Sequence, residues 1–112
     1  MTINEYQKEA LKTASGMSHK NALDKLMNGV LGLTGESGEV ADILKKHCYQ
    51  GHALEVEHIA IELGDIAWYI AFTANVLGYD FETILQMNVD KLRKRYPDGF
   101  SAERSIHREE EQ

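Results

Sequence analysis

The sequence predicts an all-α fold of four helices, and three observations carry that expectation. Apolar residues recur at helical spacing through most of the chain. Few β-branched residues alternate with polar ones as strands require. The single proline, Pro97, falls where the last helix should stop.

Each element has its own start or stop signal. The first helix begins near Thr2, which with Glu5 forms a Thr-x-x-Glu capping box. It carries Ile3, Tyr6, Ala10, Leu11 and Ala14 at helical spacing and stops at Ser15-Gly16. This is a packing helix. The second spans about Asn21–Tyr49, with a break expected near Gly29-Val30-Leu31-Gly32 and an inner stripe of Leu26, Val30, Leu33, Val40, Ile43 and Leu44. Gly32, Gly35 and Gly38 each cost a helix about 1 kcal/mol relative to alanine, which points to close approach of another backbone or a ligand. Gly51 suits the stop. The third helix takes about Leu54–Leu77 and ends at Gly78; apolar nearly all round, it is expected to be buried. Asp80 can cap the fourth, Phe81–Tyr96, whose stripe is Phe81, Ile84, Leu85 and Leu92. Residues 1–100 thus read as one helical domain. Residues 101–112 form an exposed, charged tail, frayed or used for subunit contact.

The formal net charge of −6 excludes a general nucleic-acid-binding surface. One cysteine, Cys48, leaves no internal disulfide and suits a reducing compartment. The N-terminus lacks the apolar core of a signal peptide. The longest apolar run, around Ile66–Leu77, falls short of the roughly 20 residues of a membrane span. The expectation is a cytoplasmic protein.

The chemistry concentrates in Glu62-Leu63-Gly64-Asp65-Ile66-Ala67-Trp68-Tyr69. Glu62 and Asp65 stand three apart and share a helix face, inside a segment with no polar stripe to keep them in water. Glu36 and Glu39 repeat that spacing upstream. Carboxylates drawn into apolar surroundings persist when paired or bound to metal. Four of them, with no His or Cys at matching positions, suit hard divalent cations such as Mg²⁺ or Mn²⁺ and disfavour zinc and copper. Asn88, Lys91 and Arg95 share one face of the fourth helix and offer donors for phosphate. Metal carboxylates with basic donors on another helix describe a polyphosphate site. Each feature also has a plainer reading. An isolated carboxylate pair is common on exposed helices, and Arg93 and Lys94 read as a solvated last turn favoured by the helix dipole. His47, Cys48 and His52 lack a fourth ligand for zinc. His58 is either a partner of Glu62 or a surface residue, His19 and His107 are expected to be exposed, and Trp68 and Tyr69 are most simply core aromatics.

The pattern Glu36-x-x-Glu39, 22 intervening residues, then Glu62-x-x-Asp65 resembles the ExxE…ExxD signature of the MazG-like all-α nucleoside triphosphate pyrophosphohydrolases. Gly32–Glu39, Glu62–Tyr69 and Asn88-x-x-Lys91-Leu92-x-x-Arg95-Tyr96-Pro97 resemble that family's three blocks, as in its short single-domain members. The resemblance implies a four-helix bundle assembled as homodimers or homotetramers, and Mg²⁺-dependent cleavage between the α- and β-phosphates to give a nucleoside monophosphate and pyrophosphate. It also implies that Glu36, Glu39, Glu62 and Asp65 bind metal and do the catalysis, one of them orienting or deprotonating the attacking water. Lys45 (or Lys46), Asn88, Lys91, Arg95 and Tyr96 would then form the phosphate side, with Tyr69 near the nucleotide. Ordinary, deoxy, deaminated and oxidised nucleotides all present the same triphosphate to such a site.

Two other classes compete. A di-iron or di-manganese bundle uses Glu-x-x-His from two helices, whereas Glu39 and Asp65 hold the fourth positions here. A non-enzymatic helical interaction module would bury its third helix only by oligomerising.

Overall fold

The computed structural model describes residues 1–108, and its helices are α1 (Ile3–Lys12), α2 (Ala22–Tyr49), α3 (Val56–Val76), α4 (Phe81–Arg95) and α5 (Ala102–Ile106). No strand occurs among the described residues, only an isolated bridge between Pro97 and Gly99. The chain divides into two compact units, Met1–Phe81 and Glu82 onward.

Local signals set the helix ends. Thr2 and Glu5 close the capping box, with Glu5 N–H donating to Thr2 Oγ1 (3.1 Å) and Thr2 N–H to Glu5 Oε2 (2.9 Å). Asn21 Oδ1 caps α2 by accepting from Asp24 N–H at 2.8 Å. Gly51 and Gly78 adopt φ of +75° and +83° just past α2 and α3. After α3, Tyr79 N–H reaches back to the Ala74 carbonyl at 2.9 Å, so the chain reverses without leaving that acceptor orphaned.

The break expected in α2 does not occur: the helix runs 28 residues without interruption. The reason lies in its packing on α3. A Cβ added to Gly29 would collide with Thr73 Oγ1, and one added to Gly32 would collide with the Tyr69 ring. The two glycines therefore let the helices close together, and that contact offsets their poor helix propensity. Gly35 and Gly38 have nothing within 4 Å of such a Cβ, so the close approach expected there is not made within this chain. Partners that rise along α2 fall along α3, which makes the pair antiparallel.

α1 lies across α3, and a buried glutamine fastens it. Gln7 Nε2 donates to the carbonyls of Ala71 (3.0 Å) and Tyr79 (3.3 Å), while Gln7 Oε1 accepts from Phe81 N–H (2.9 Å). The first peptide N–H of α4 is thus satisfied by α1. Trp68 Nε1 donates to both Ala10 O (3.0 Å) and Thr13 Oγ1 (2.7 Å), and its ring stacks on Phe72 at 5.4 Å and 9°.

The core this produces is small: Ala10, Ala71 and Phe81, with Tyr6, Ala67, Trp68 and Ile70 packed against it. The expectation that α3 is buried all round is corrected here. Its buried residues are Ala71, Phe72 and Ala74, whereas Ile61 and Leu63 remain 59% and 54% exposed, because α1 and α2 cover only part of its circumference. By length and composition alone α3 also meets the measure of a membrane-crossing helix, although it carries Glu57, Glu62 and Asp65.

In the second unit α4 ends before Pro97. Tyr96 packs on Phe100 at 5.3 Å, and Arg104 Nη1 donates to the Arg95 carbonyl at 3.3 Å. Within the tail, read as exposed and either frayed or used for subunit contact, Ala102–Ile106 form α5, begun by Ser101, whose hydroxyl accepts from Arg104 N–H at 3.3 Å; most of its described residues are exposed. Its last four positions, 109–112, lie outside the described residues.

Candidate active site

The contact line between α2 and α3 that begins at Gly29 and Gly32 leads directly to carboxylates. One turn beyond Gly32 stands Glu36, and one turn before Tyr69 stands Asp65, with Glu62 a further three residues back. Close approach at the glycines makes these acidic groups converge. One oxygen each from Glu36, Glu62 and Asp65 lie within 4.8 Å of one another. Glu36 and Glu62 are half-buried and Asp65 is exposed, so inward burial of all four carboxylates, expected from the apolar flanks, does not hold within this chain.

The electrostatics of this group are those of carboxylates crowded together. Glu62 stands within hydrogen-bonding reach of Glu36 and pushes its pKa up to about 7, helped by desolvation and by the charges of Glu62, Asp65 and Glu39. Two ionised carboxylates cannot hydrogen-bond each other; one must hold a proton. Glu62 Oε2, sealed from solvent, has no hydrogen-bond partner among the described residues. Burial, then the Asp65 charge, holds the Tyr6 phenol above its ordinary value.

A cavity of about 380 Å³ opens on this cluster, lined by Glu36, Asp65, Trp68, Tyr69 and Thr13. Tyr69 therefore stands beside the carboxylates as well as against Gly32, with its ring edge-to-face on Trp68 at 5.0 Å and 82°. Thr13 was not legible as a site residue, since it follows α1 and reaches the cavity only through its bond to the Trp68 indole.

Glu39 is exposed and lines a neighbouring cavity of about 250 Å³ with Asp42, Lys46, His52, Glu55 and His58. It stands outside the three-oxygen group. Lys45 is exposed, 3.8 Å from Asp42, while Lys46 makes the closer pair with Asp42 at 2.9 Å. That bond raises the Lys46 pKa and lowers that of Asp42. Asn88, Lys91, Arg95 and Tyr96 belong to the second unit. Asn88 and Lys91 are exposed, and Arg95 and Tyr96 are half-buried.

Among the histidines, His58 is both exposed and a partner of Glu62, at 3.3 Å, and of Glu55, at 3.0 Å. The Glu55 bond is the main reason its pKa is raised; partial desolvation opposes it and the Glu62 bond adds to it. His19, expected to be exposed, is half-buried: Asn28 Nδ2 lies 2.9 Å from its Nε2, and its ring packs on Phe72 at 6.0 Å. It lines a cavity of about 610 Å³ with Phe72, Asn21 and Lys25. The three-oxygen group contains no histidine, so the Glu-x-x-His arrangement of a di-iron bundle is not formed there.

Comparison with known proteins agrees with this architecture. The family model described as the MazG nucleotide pyrophosphohydrolase domain matches residues 25–100, which include the carboxylate-bearing parts of α2 and α3 and all of α4. The chain is 32% identical over 105 residues to the Gene 37 protein of Mycobacterium phage L5, covering 88% of this chain and 92% of the phage protein. No solved structure matches. The match over residues 25–100, on two antiparallel helices that gather Glu36, Glu62 and Asp65, shows that the chain belongs to the MazG nucleotide pyrophosphohydrolase domain family.

Proposed function

We propose that the chain is a Mg²⁺-dependent nucleoside triphosphate pyrophosphohydrolase that cleaves between the α- and β-phosphates, releasing a nucleoside monophosphate and pyrophosphate. The observation that carries this reading is the convergence of three carboxylate oxygens within 4.8 Å, one residue of which leaves an oxygen orphaned. Orphaned, mutually repelling oxygens are the donor set that a hard divalent cation satisfies. Glu36, Glu62 and Asp65 would hold Mg²⁺, or Mn²⁺, with Glu39, one turn beyond Glu36, as the fourth carboxylate. When bound, the cation supplies charge neutralisation for the phosphate oxygens and lowers the pKa of a coordinated water.

The rest falls to the side chains of the chain. Water attacks the α-phosphorus as the bond to the bridging oxygen breaks, and a carboxylate of this set takes the proton that the water loses. Lys45 or Lys46, Asn88, Lys91, Arg95 and Tyr96 bind the phosphates and compensate the charge on the departing pyrophosphate. Tyr69, in the wall of the 380 Å³ cavity, flanks the nucleoside. Such an activity would clear non-canonical or excess (deoxy)nucleotides in the cytoplasm, with a free nucleotide as substrate and no nucleic-acid polymer or membrane as partner. A homodimer or homotetramer would cover the apolar side chains that one chain leaves open, among them Leu31, Ile61 and Leu63.

The test is product identity. Incubated with Mg²⁺ and a panel of nucleoside triphosphates, the chain should release pyrophosphate and monophosphate. Release of single phosphate with the diphosphate, or no turnover across the panel, contradicts the reading.

A further inference from the structure

Glu62 is held from outside the three-oxygen group. His58, one turn earlier on α3, places Nε2 3.3 Å from Glu62 Oε1 and Nδ1 3.0 Å from Glu55 Oε2. Glu55 occupies the N-cap position of α3, yet its side chain makes no capping bond and turns to the imidazole instead. A line of contacts, Glu55 to His58 to Glu62, thus runs along one face of the helix at spacings of three and four residues. With Oε1 engaged, Glu62 keeps Oε2 sealed from solvent and without a partner among the described residues.

We propose that His58 is a positioning residue for divalent-cation binding: braced by Glu55, it holds Glu62 through Oε1 and so presents Oε2 to the cation. This rests on reading Glu36, Glu62 and Asp65 as the cation site. Residues that hydrogen-bond a metal ligand from behind fix its orientation, and losing one typically costs 10–100-fold in affinity. The sign of the effect separates positioning from charge. An imidazolium acting only as a nearby positive charge would repel a divalent ion, and its removal would tighten binding.

The measurement is Mn²⁺ affinity of the full chain without nucleotide, read from free Mn²⁺ by electron paramagnetic resonance. His58→Leu should weaken binding by about 10-fold or more. His58→Gln, which keeps an N–H donor within reach of Glu62, should stay within about 3-fold of wild type, and its retained affinity also shows that position 58 tolerates substitution. Glu55→Ala should weaken binding in the same direction by a smaller factor. Binding by His58→Leu that equals or exceeds wild type overturns the role of His58 and leaves the cation site standing. Failure of the wild-type chain to bind Mn²⁺ removes the cation site itself, and the inference with it.

Discussion

Glu36 shows how much of a site depends on what surrounds a single carboxyl. Its neighbours hold its proton on up to about 7, against an ordinary 4.5. In the unfolded chain the same group ionises near the ordinary value, so across that window the metal-free folded state binds more protons than the unfolded one. Stability therefore falls as pH rises from 4.5 towards about 7. Unfolding temperatures measured in chelator should show that decline, and Glu36→Gln should flatten it. A divalent cation should displace the proton and raise stability most at the upper end of the window. The three carboxylates that converge, Glu36, Glu62 and Asp65, were legible in the sequence because Glu and Asp there interrupt apolar helix. Their unequal placement was not: spacing puts Glu36 and Glu39 on one helix face, but only contact with α3 decides that Glu36 meets Glu62 and Asp65 while Glu39 opens on the next cavity.

Among the elements, the α2–α3 pair does most to build the site. Gly29 and Gly32 bring the helices together, and the same line of contact then gathers the carboxylates. Gly32→Ala forces a methyl into the Tyr69 ring and should cost about 1–3 kcal/mol in denaturant unfolding. Gly35→Ala meets nothing within 4 Å and should instead gain up to about 1 kcal/mol. Sequence spacing marked Gly32, Gly35 and Gly38 as one class, since composition does not say which glycine faces a neighbour. Gln7 was invisible for a related reason: a lone glutamine on a packing helix looks like surface. Buried and bonded to Ala71, Tyr79 and Phe81, it joins α1 to α3, to the α3–α4 turn and to the first residue of α4. Gln7→Leu orphans those backbone groups and should cost at least about 2 kcal/mol, measurable by thermal or denaturant unfolding. The capping box at Thr2 and the stops at Gly51 and Gly78 were legible because they are local.

For the molecule as a whole, what one chain leaves uncovered matters as much as what it buries. Among the described residues the core contains no large side chain that is fully buried, while Leu31, Ile61, Leu63, Met87 and Phe100 are each more than half exposed. An all-round apolar α3 was legible in the sequence; that a single chain would leave its first half open was not, because periodicity does not count the helices available to cover it. Sedimentation at micromolar concentration should accordingly give a dimer or tetramer. The central claim is that Glu36, Glu62 and Asp65 form the cation site of a pyrophosphohydrolase. Its most direct test is the rate of pyrophosphate release at saturating Mg²⁺ by wild type, Glu36→Gln, Glu62→Gln and Asp65→Asn. The expected result is pyrophosphate from wild type and a fall of about 10²-fold or more in each folded variant; full activity in any of the three contradicts the claim.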